Sequence, residues 1–175
     1  MERVVAGVDF SEGSLVALRW AAGVARANGV PLLLVSAWEH PWWSFAPSPL
    51  GITPVPAAED ICSVLEQQLV ELVGLEDLGD VVKSPPVVGE GGAAGVLLEL
   101  LGANDFLVLG SRGHGATRDT LLGSVSTRCA SLAPCPVAVV PTAAAAQRGS
   151  GPVVVGVDGS ANALAAVRWP GACTD

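Results

Sequence analysis

Glycines at positions 110, 113, 115 and 123 punctuate one stretch of the chain, from Asp105 to Pro136. It opens with the apolar run Phe106-Leu107-Val108-Leu109, and Ser124-Val125-Ser126 follows the last glycine. A short apolar run bounded by turn residues suits a strand buried on both faces. Ser124 begins a helical pattern, so the order is strand, glycine-rich loop, helix N-terminus. That order can hold phosphate. Glycine lets backbone N–H groups approach an anion with no Cβ in the way, and the first turn of a helix has N–H groups with no intrahelical partner. A second chemically suggestive group, Asp9, ends the first apolar run of the chain, Arg3 to Asp9.

The elements that must position these residues alternate in type. After the strand ending at Asp9, Ser11 can cap a helix whose apolar stripe is Leu15, Leu18, Ala22 and Ala25. Gly29 suits the left-handed stop of that helix, and residues 32–38 form a second strand. From Glu39 to Pro56 come five of the thirteen prolines, with Trp42, Trp43 and Phe45 among them. Such a long irregular loop either packs its aromatics over the domain edge or covers a ligand or partner. Residues 57–73 are an amphipathic helix, with apolar side chains at 61, 64, 65, 69, 72 and 73. A third strand falls within Asp80 to Val88, at a sheet edge because Pro85 and Pro86 cannot donate to a ladder. A helix over 92–101, strand four, a helix from Ser124 to about Ala133 and a fifth strand over 136–140 complete the pattern.

This alternation predicts an α/β fold, an open five-stranded parallel sheet with helices on both faces. With strand order 3-2-1-4-5, the order reverses between strands one and four. Ligands of such sheets sit outside the carboxyl ends of the strands at that reversal. Asp9 and Gly110 mark those ends, so the two suggestive features become neighbours.

Composition narrows the function. Seventeen acidic against nine basic residues give a net charge of −8, which argues against a nucleic-acid partner. Phosphate remains possible, because backbone N–H groups bind it without many cations. No apolar run reaches the ~18–20 residues that span a bilayer. The opening Glu2-Arg3 leads directly into VVAGVD, unlike a signal peptide, so the expectation is a cytoplasmic protein with no membrane association. The cysteines at 62, 129, 135 and 173 form no C-x-x-C pair and read as small buried or incidental thiols, not zinc ligands.

The opening of the chain returns near its end. Residues 4–20 read VVAGVDFSEGSLVALRW and residues 153–169 read VVVGVDGSANALAAVRW, identical at ten of seventeen positions. The offset of 149 residues implies one domain over 1–141, a linker over 142–151 and the start of a second copy over 152–175. Pro170 breaks the helix that the first copy continues through Ala21 and Ala22. One strand and half a helix cannot bury a core, so this segment is either disordered or paired with a strand edge.

Together these residues resemble the universal stress protein family. The matching marks are Val8-Asp9-Phe10-Ser11 (V-D-x-S), the Ala133 to Val137 run A-P-C-P-V, and the loop. Gly110, two residues, Gly113, nine residues and Gly123-Ser124 reproduce G-x2-G-x9-G-[S/T], the pattern of the family's ATP-binding branch. The resemblance implies a Rossmann-like fold of the adenine nucleotide alpha hydrolase type, with ATP and Mg2+ across the ends of strands one and four. It implies that Asp9 serves the ribose or the metal, and that the backbone at Ala37 meets adenine. Gly110 and Gly113 would line the phosphates from one side; Gly123, Ser124 and Val125 would offer N–H groups and a hydroxyl from the other. Ser111, Arg112 and His114 complete the candidate set, Arg112 and His114 as cations of the loop along with Arg118. Each has a plainer reading as well. Asp9 can be a helix cap, Ser124 an N-cap, Arg118 a surface partner of Asp119, His114 a loop residue, and Gly115 a turn former. By resemblance, a homodimer would form through the last strand, Pro136 to Val140, whose apolar edge needs a partner.

Missing patterns matter too. No G-x-x-x-x-G-K-[ST] and no G-x-G-x-x-G occur. With no evident general base or arginine finger, fast phosphoryl transfer has no machinery, and slow ATP hydrolysis is the most to expect. Two alternatives remain: an interaction module of the same fold without nucleotide, and an adenylyl-transferring enzyme, which needs a histidine-rich signature. His40 and His114 are the only histidines.

Overall fold

The computed structural model describes residues 1–39, 58–113, 122–143 and 154–168. Strand β1 (Arg3–Gly7) is central, with Val4 and Val5 fully buried. It pairs in parallel with β2 (Leu32–Trp38) on one side and β4 (Asp105–Gly110) on the other. β3 (Val87–Glu90) pairs with β2, and β5 (Val137–Val140) with β4, giving the order β3-β2-β1-β4-β5. The expected 3-2-1-4-5 order is therefore observed.

Alternation along each strand divides the core into two layers. On one face Val4, Ala6, Leu32, Leu34 and Val108 pack against α1 (Glu12–Asn28) and α2 (Ala58–Leu75), which contribute Leu18, Ala21, Leu69 and Leu72. On the other, Val5, Leu33, Val35, Leu107 and Leu109 pack against α3 (Ala93–Leu100) and α4 (Ser124–Leu132), which contribute Ala94, Leu97 and Cys129. Burial holds the Cys129 and Cys135 thiols above their ordinary pKa, which suits core packing, not thiolate chemistry.

Helix α1 starts and stops as its sequence dictates. Ser11 is the N-cap, its Oγ accepting the Ser14 N–H at 3.2 Å, and Gly29 takes φ +63° to close the C-terminus. Its buried stripe is wider than expected, taking in Val16, Ala17, Ala21 and Val24, while Leu15 is half-buried. A helix laid over the centre of a sheet is covered across a broad face. At the foot of the sheet Arg3 and Asp105 form a two-pronged ion pair, both contacts at 2.9 Å.

Two expectations, the bounds of the third strand and the cap of the fourth helix, need correction. The third strand begins at Val87, past Pro85 and Pro86, and upstream only Val82 makes an isolated parallel bridge to Leu32. Two residues without N–H groups interrupt the ladder, so pairing resumes only after them. β3 is nevertheless an edge strand, as its prolines suggested. Ser124 is the first helical residue of α4, and Gly123 is the N-cap. The repeated opening forms no strand over 154–158; Val154, Val155 and Val157 are 88%, 42% and 58% exposed. Its helix does form, as α5 (Ala161–Arg168). The aromatic loop and His114 lie outside the described residues. Among the described residues no helix is long and apolar enough to cross a membrane.

Candidate functional site

At the carboxyl ends of β1 and β4, where the strand order reverses, the structure has a cleft of about 370 Å³. Asp9, Ala37, Gly110, Arg112, Gly113, Gly123, Ser124 and Val125 all line it. Of the remaining candidates, Ser111 is buried behind the wall, and His114 is not among the described residues.

The first wall is the turn from β1 into α1. Asp9 Oδ1 accepts hydrogen bonds from the Ser11 N–H at 3.0 Å and the Ser11 hydroxyl at 2.5 Å. Asp9 thus supports the capping residue, while Ser11 is itself the cap. Between them Phe10 sits at φ +60°, a left-handed conformation costing about 1–2 kcal/mol for a non-glycine residue. Ser14, 4% exposed, ties the turn down: its hydroxyl donates to the Ser11 carbonyl at 3.0 Å, and its Oγ accepts the Asp9 N–H at 3.3 Å.

The second wall is the end of β4 with the first turn of α4. Ser111 continues the ladder through its N–H to the Val140 carbonyl at 2.9 Å. The Gly123 N–H donates to the Ser111 carbonyl at 2.7 Å, bringing the helix start back to the strand end. Glycine as N-cap leaves α4 with no side-chain cap hydrogen bond. Its first-turn N–H groups therefore face no capping oxygen from that residue.

The glycines have distinct reasons to be glycine. A Cβ on Gly110 would lie 2.7 Å from the backbone carbon of Gly13, and one on Gly13 would lie 2.7 Å from the Arg112 carbonyl oxygen. Gly110 and Gly13 thus let strand and helix touch. A Cβ on Gly113 would run into Asp9 Oδ2, so this glycine brings the two walls face to face. A Cβ on Gly123 would meet nothing nearer than 3.5 Å. Its value is the uncapped helix start.

The side of the cleft toward β2 and α3 is apolar, formed by Val35, Ala37, Ala93, Leu97 and Leu109. Together with the polar walls this can hold a flat apolar ring at one end and an anion at the other. Among the described residues no group of three or more His, Cys, Asp or Glu could hold a metal by itself. Sequence reasoning missed Gly13, Ser14 and Ser126, all three packed at or lining the cleft.

An open parallel sheet with a ligand-sized cleft at its reversal is a Rossmann-like α/β architecture. The model of the universal stress protein family matches residues 1–141, and the chain belongs to that family. Universal stress protein Rv2005c of Mycobacterium tuberculosis is 32% identical over 167 residues, covering 90% of this chain and 54% of that protein. Universal stress protein Rv2623 of the same organism is 30% identical over 171 residues, with the same coverage of 90% and 54%. The chain spans about half the length of the curated relatives it matches. Universal stress protein UspA from Lactobacillus plantarum superposes with TM-score 0.59 at 17% identity, over 79% of this chain and 97% of that one. A universal stress protein in complex with cAMP superposes with TM-score 0.53 at 23% identity, over 81% and 97%.

Proposed function

We propose that this protein binds ATP with Mg2+ in the cleft between β1 and β4 and serves a regulatory, stress-response role in the cytoplasm. One observation carries the reading: Asp9 and Gly113 meet across a cleft whose far wall is a helix capped only by glycine. Phosphates would lie against Gly113, Gly123 and the N–H groups of Ser124 and Val125. The apolar pocket beside Ala37 would take the adenine. A single carboxylate suits Mg2+, which keeps several waters and binds through one or two carboxylates plus phosphate oxygens. The residues fit a metal that arrives with the nucleotide. One fold neighbour holds cAMP, also an adenine nucleotide. Among the described lining residues Asp9 is the one carboxylate, and Ser11 already engages it, which supports a cleft that holds ATP more than it consumes it.

The repeated opening carries Asp158 at the position equivalent to Asp9. That repeat, and relatives about twice as long, favour a tandem-type protein whose second domain is represented here only by its start. Association of two copies through β5 is part of the same proposal.

A thermal melt with ATP and Mg2+ tests the reading. Ligand at a hundred times its dissociation constant adds about 2.7 kcal/mol to the folded state. The melting temperature should rise, and Gly113→Val should abolish the rise. No shift at millimolar ATP would leave the second reading, an interaction module without nucleotide. That reading has one observation in its favour: the Asp9 carboxylate is already engaged by Ser11 and lies against Gly113.

A further inference from the structure

Gly110 is the point where three elements meet. On one side its Cα abuts Gly13 in the first turn of α1. On the other, its carbonyl accepts the hydroxyl of Ser126 at 2.8 Å, across sixteen residues of chain. Ser126 is 4% exposed and lines the cleft. One residue further along, the Ser111 carbonyl accepts the Gly123 N–H at 2.7 Å. Two successive carbonyls at the end of β4 are thus stapled to the first turn of α4. Ser126 is the only one of the two staples made by a side chain, so a substitution can remove it.

We infer that Ser126 is a positioning residue that sets the spacing between the end of β4 and the N–H groups of α4, and with it the affinity for phosphate-bearing ligands. The inference rests on the ATP reading above. N–H groups bind an anion well only when held in place before it arrives; groups that must be ordered on binding lose affinity. Without the hydroxyl, the Gly123 bond is the remaining hydrogen bond among the described residues that ties the start of α4 to the end of β4, and apolar packing of Val125 and Cys129 does not fix its orientation. Val35, Ala37 and Leu97 line the same cleft as Ser126, but with apolar side chains that take no part in its hydrogen bond to Gly110. Phosphate affinity and nucleoside affinity should therefore separate.

The test is calorimetric titration of ATP and of adenosine, each with Mg2+, into the native chain and Ser126→Ala. ATP should bind about tenfold more weakly to the variant, with adenosine changed less than twofold. Thr127→Ala is the control, because among the described residues its hydroxyl bonds the Gly123 carbonyl within the same helical turn, at 2.9 Å, and does not reach β4; it should leave both affinities unchanged. Ser126→Thr keeps the hydroxyl and should restore most of the ATP affinity. Equal weakening of both ligands by Ser126→Ala, or unchanged ATP binding, overturns the inference. A native chain that binds neither ligand overturns the ATP reading instead. Hydrogen exchange of the Gly123 amide then decides the staple without ligand: faster exchange in Ser126→Ala supports it, and unchanged exchange overturns it.

Discussion

The chain contains the same opening twice, and the two copies have different fates. In the first, Asp9 Oδ1 accepts the Ser11 N–H at 3.0 Å and Ser11 Oγ accepts the Ser14 N–H at 3.2 Å. In the second, Asp158 Oδ1 accepts the Ser160 N–H at 2.8 Å and Ser160 Oγ accepts the Ala163 N–H at 3.1 Å. Even the positive φ repeats, at +60° for Phe10, where it is strained, and at +84° for Gly159, where it is not. The residues before the turn diverge completely. Val5 and Ala6 in paired β1, and Val8 just beyond it, are 0%, 1% and 3% exposed, whereas Val154, Val155 and Val157 are 88%, 42% and 58% exposed and unpaired. Turn and cap are thus local properties of Asp-x-Ser. The strand is not: a hydrophobic pentapeptide becomes β1 only between β2 and β4. Asp9 would accordingly hold its turn with or without a ligand, so its carboxylate is preset at the cleft before any ligand arrives.

The strongest way to break the likeness is to exchange residues where the copies differ. Asn162 occupies the position equivalent to Gly13. Gly13→Asn places a Cβ 2.7 Å from the Arg112 carbonyl oxygen, a backbone atom that cannot swing aside. The expected cost is about 3 kcal/mol in chemical denaturation, with lost ATP binding as Arg112 and Gly113 are displaced. Asn162→Gly should change neither. Next comes a matched pair at aligned valines. Val5→Ala should cost about 2.5 kcal/mol through lost burial and a residual cavity. Val154→Ala, at 88% exposure, should stay within about 0.5 kcal/mol. A comparable loss at both sites would mean that the second opening is buried in solution.

The same contrast explains how much was readable beforehand. The strand order followed from apolar runs alternating with helical spacing, and the cleft from two marks, Asp9 and the glycine series, that this order makes neighbours. Gly13, Ser14 and Ser126 carried no such mark. A glycine in the first turn of a helix looks like a weak helix former; its reason is the Arg112 carbonyl, about a hundred positions away. A serine bonded to a strand end sixteen residues back has no spacing signature either. The second copy marks two of these positions. Gly13 and Ser14 are replaced by Asn162 and Ala163 in the opening that lacks a sheet, and Gly159 stands where Phe10 takes a positive φ. The third strand was misplaced for a simpler reason, since valines on both sides of Pro85-Pro86 fit a strand equally well.

A smaller effect separates the copies at the foot of the sheet, where Pro152 aligns with Arg3 and leaves the second opening without a counterpart to the Arg3–Asp105 pair. Burial alone would push the Asp105 carboxyl up. The Arg3 hydrogen bonds, the Gly102 N–H and the Arg3 charge outweigh it and hold that carboxyl below its usual range. A carboxyl with a folded pKa below its unfolded one stabilises at pH above the unfolded value, about 4. That contribution is lost as pH falls through the folded value. Asp105→Asn should therefore cost about 1.5 kcal/mol at pH 7 and flatten the loss of stability below about pH 4. Equally steep acid unfolding in the variant would assign the acid sensitivity elsewhere.

The smallest expected effect is also the most direct test of locality. Ser11→Ala removes the N-cap of a helix that packs against four strands, so the loss spreads to the whole domain, about 1 kcal/mol in denaturant unfolding. Ser160→Ala removes the same bond from α5, an eight-residue helix whose Leu164 and Val167 are 48% and 54% exposed. Isolated helices of this length are marginal, so the cap matters most where nothing else holds the helix. Ser160→Ala should leave the unfolding midpoint of the domain unchanged and lower the helical protection of residues 161–168, read by hydrogen exchange at the Leu164 amide. That amide bonds the Ser160 carbonyl at 3.1 Å, as Leu15 bonds Ser11 at 3.0 Å. If Ser160→Ala also shifts the domain midpoint, the second opening is coupled to the first domain and its turn is not a purely local structure. If the Leu164 amide is indifferent to the cap, α5 is held by something other than its own first turn.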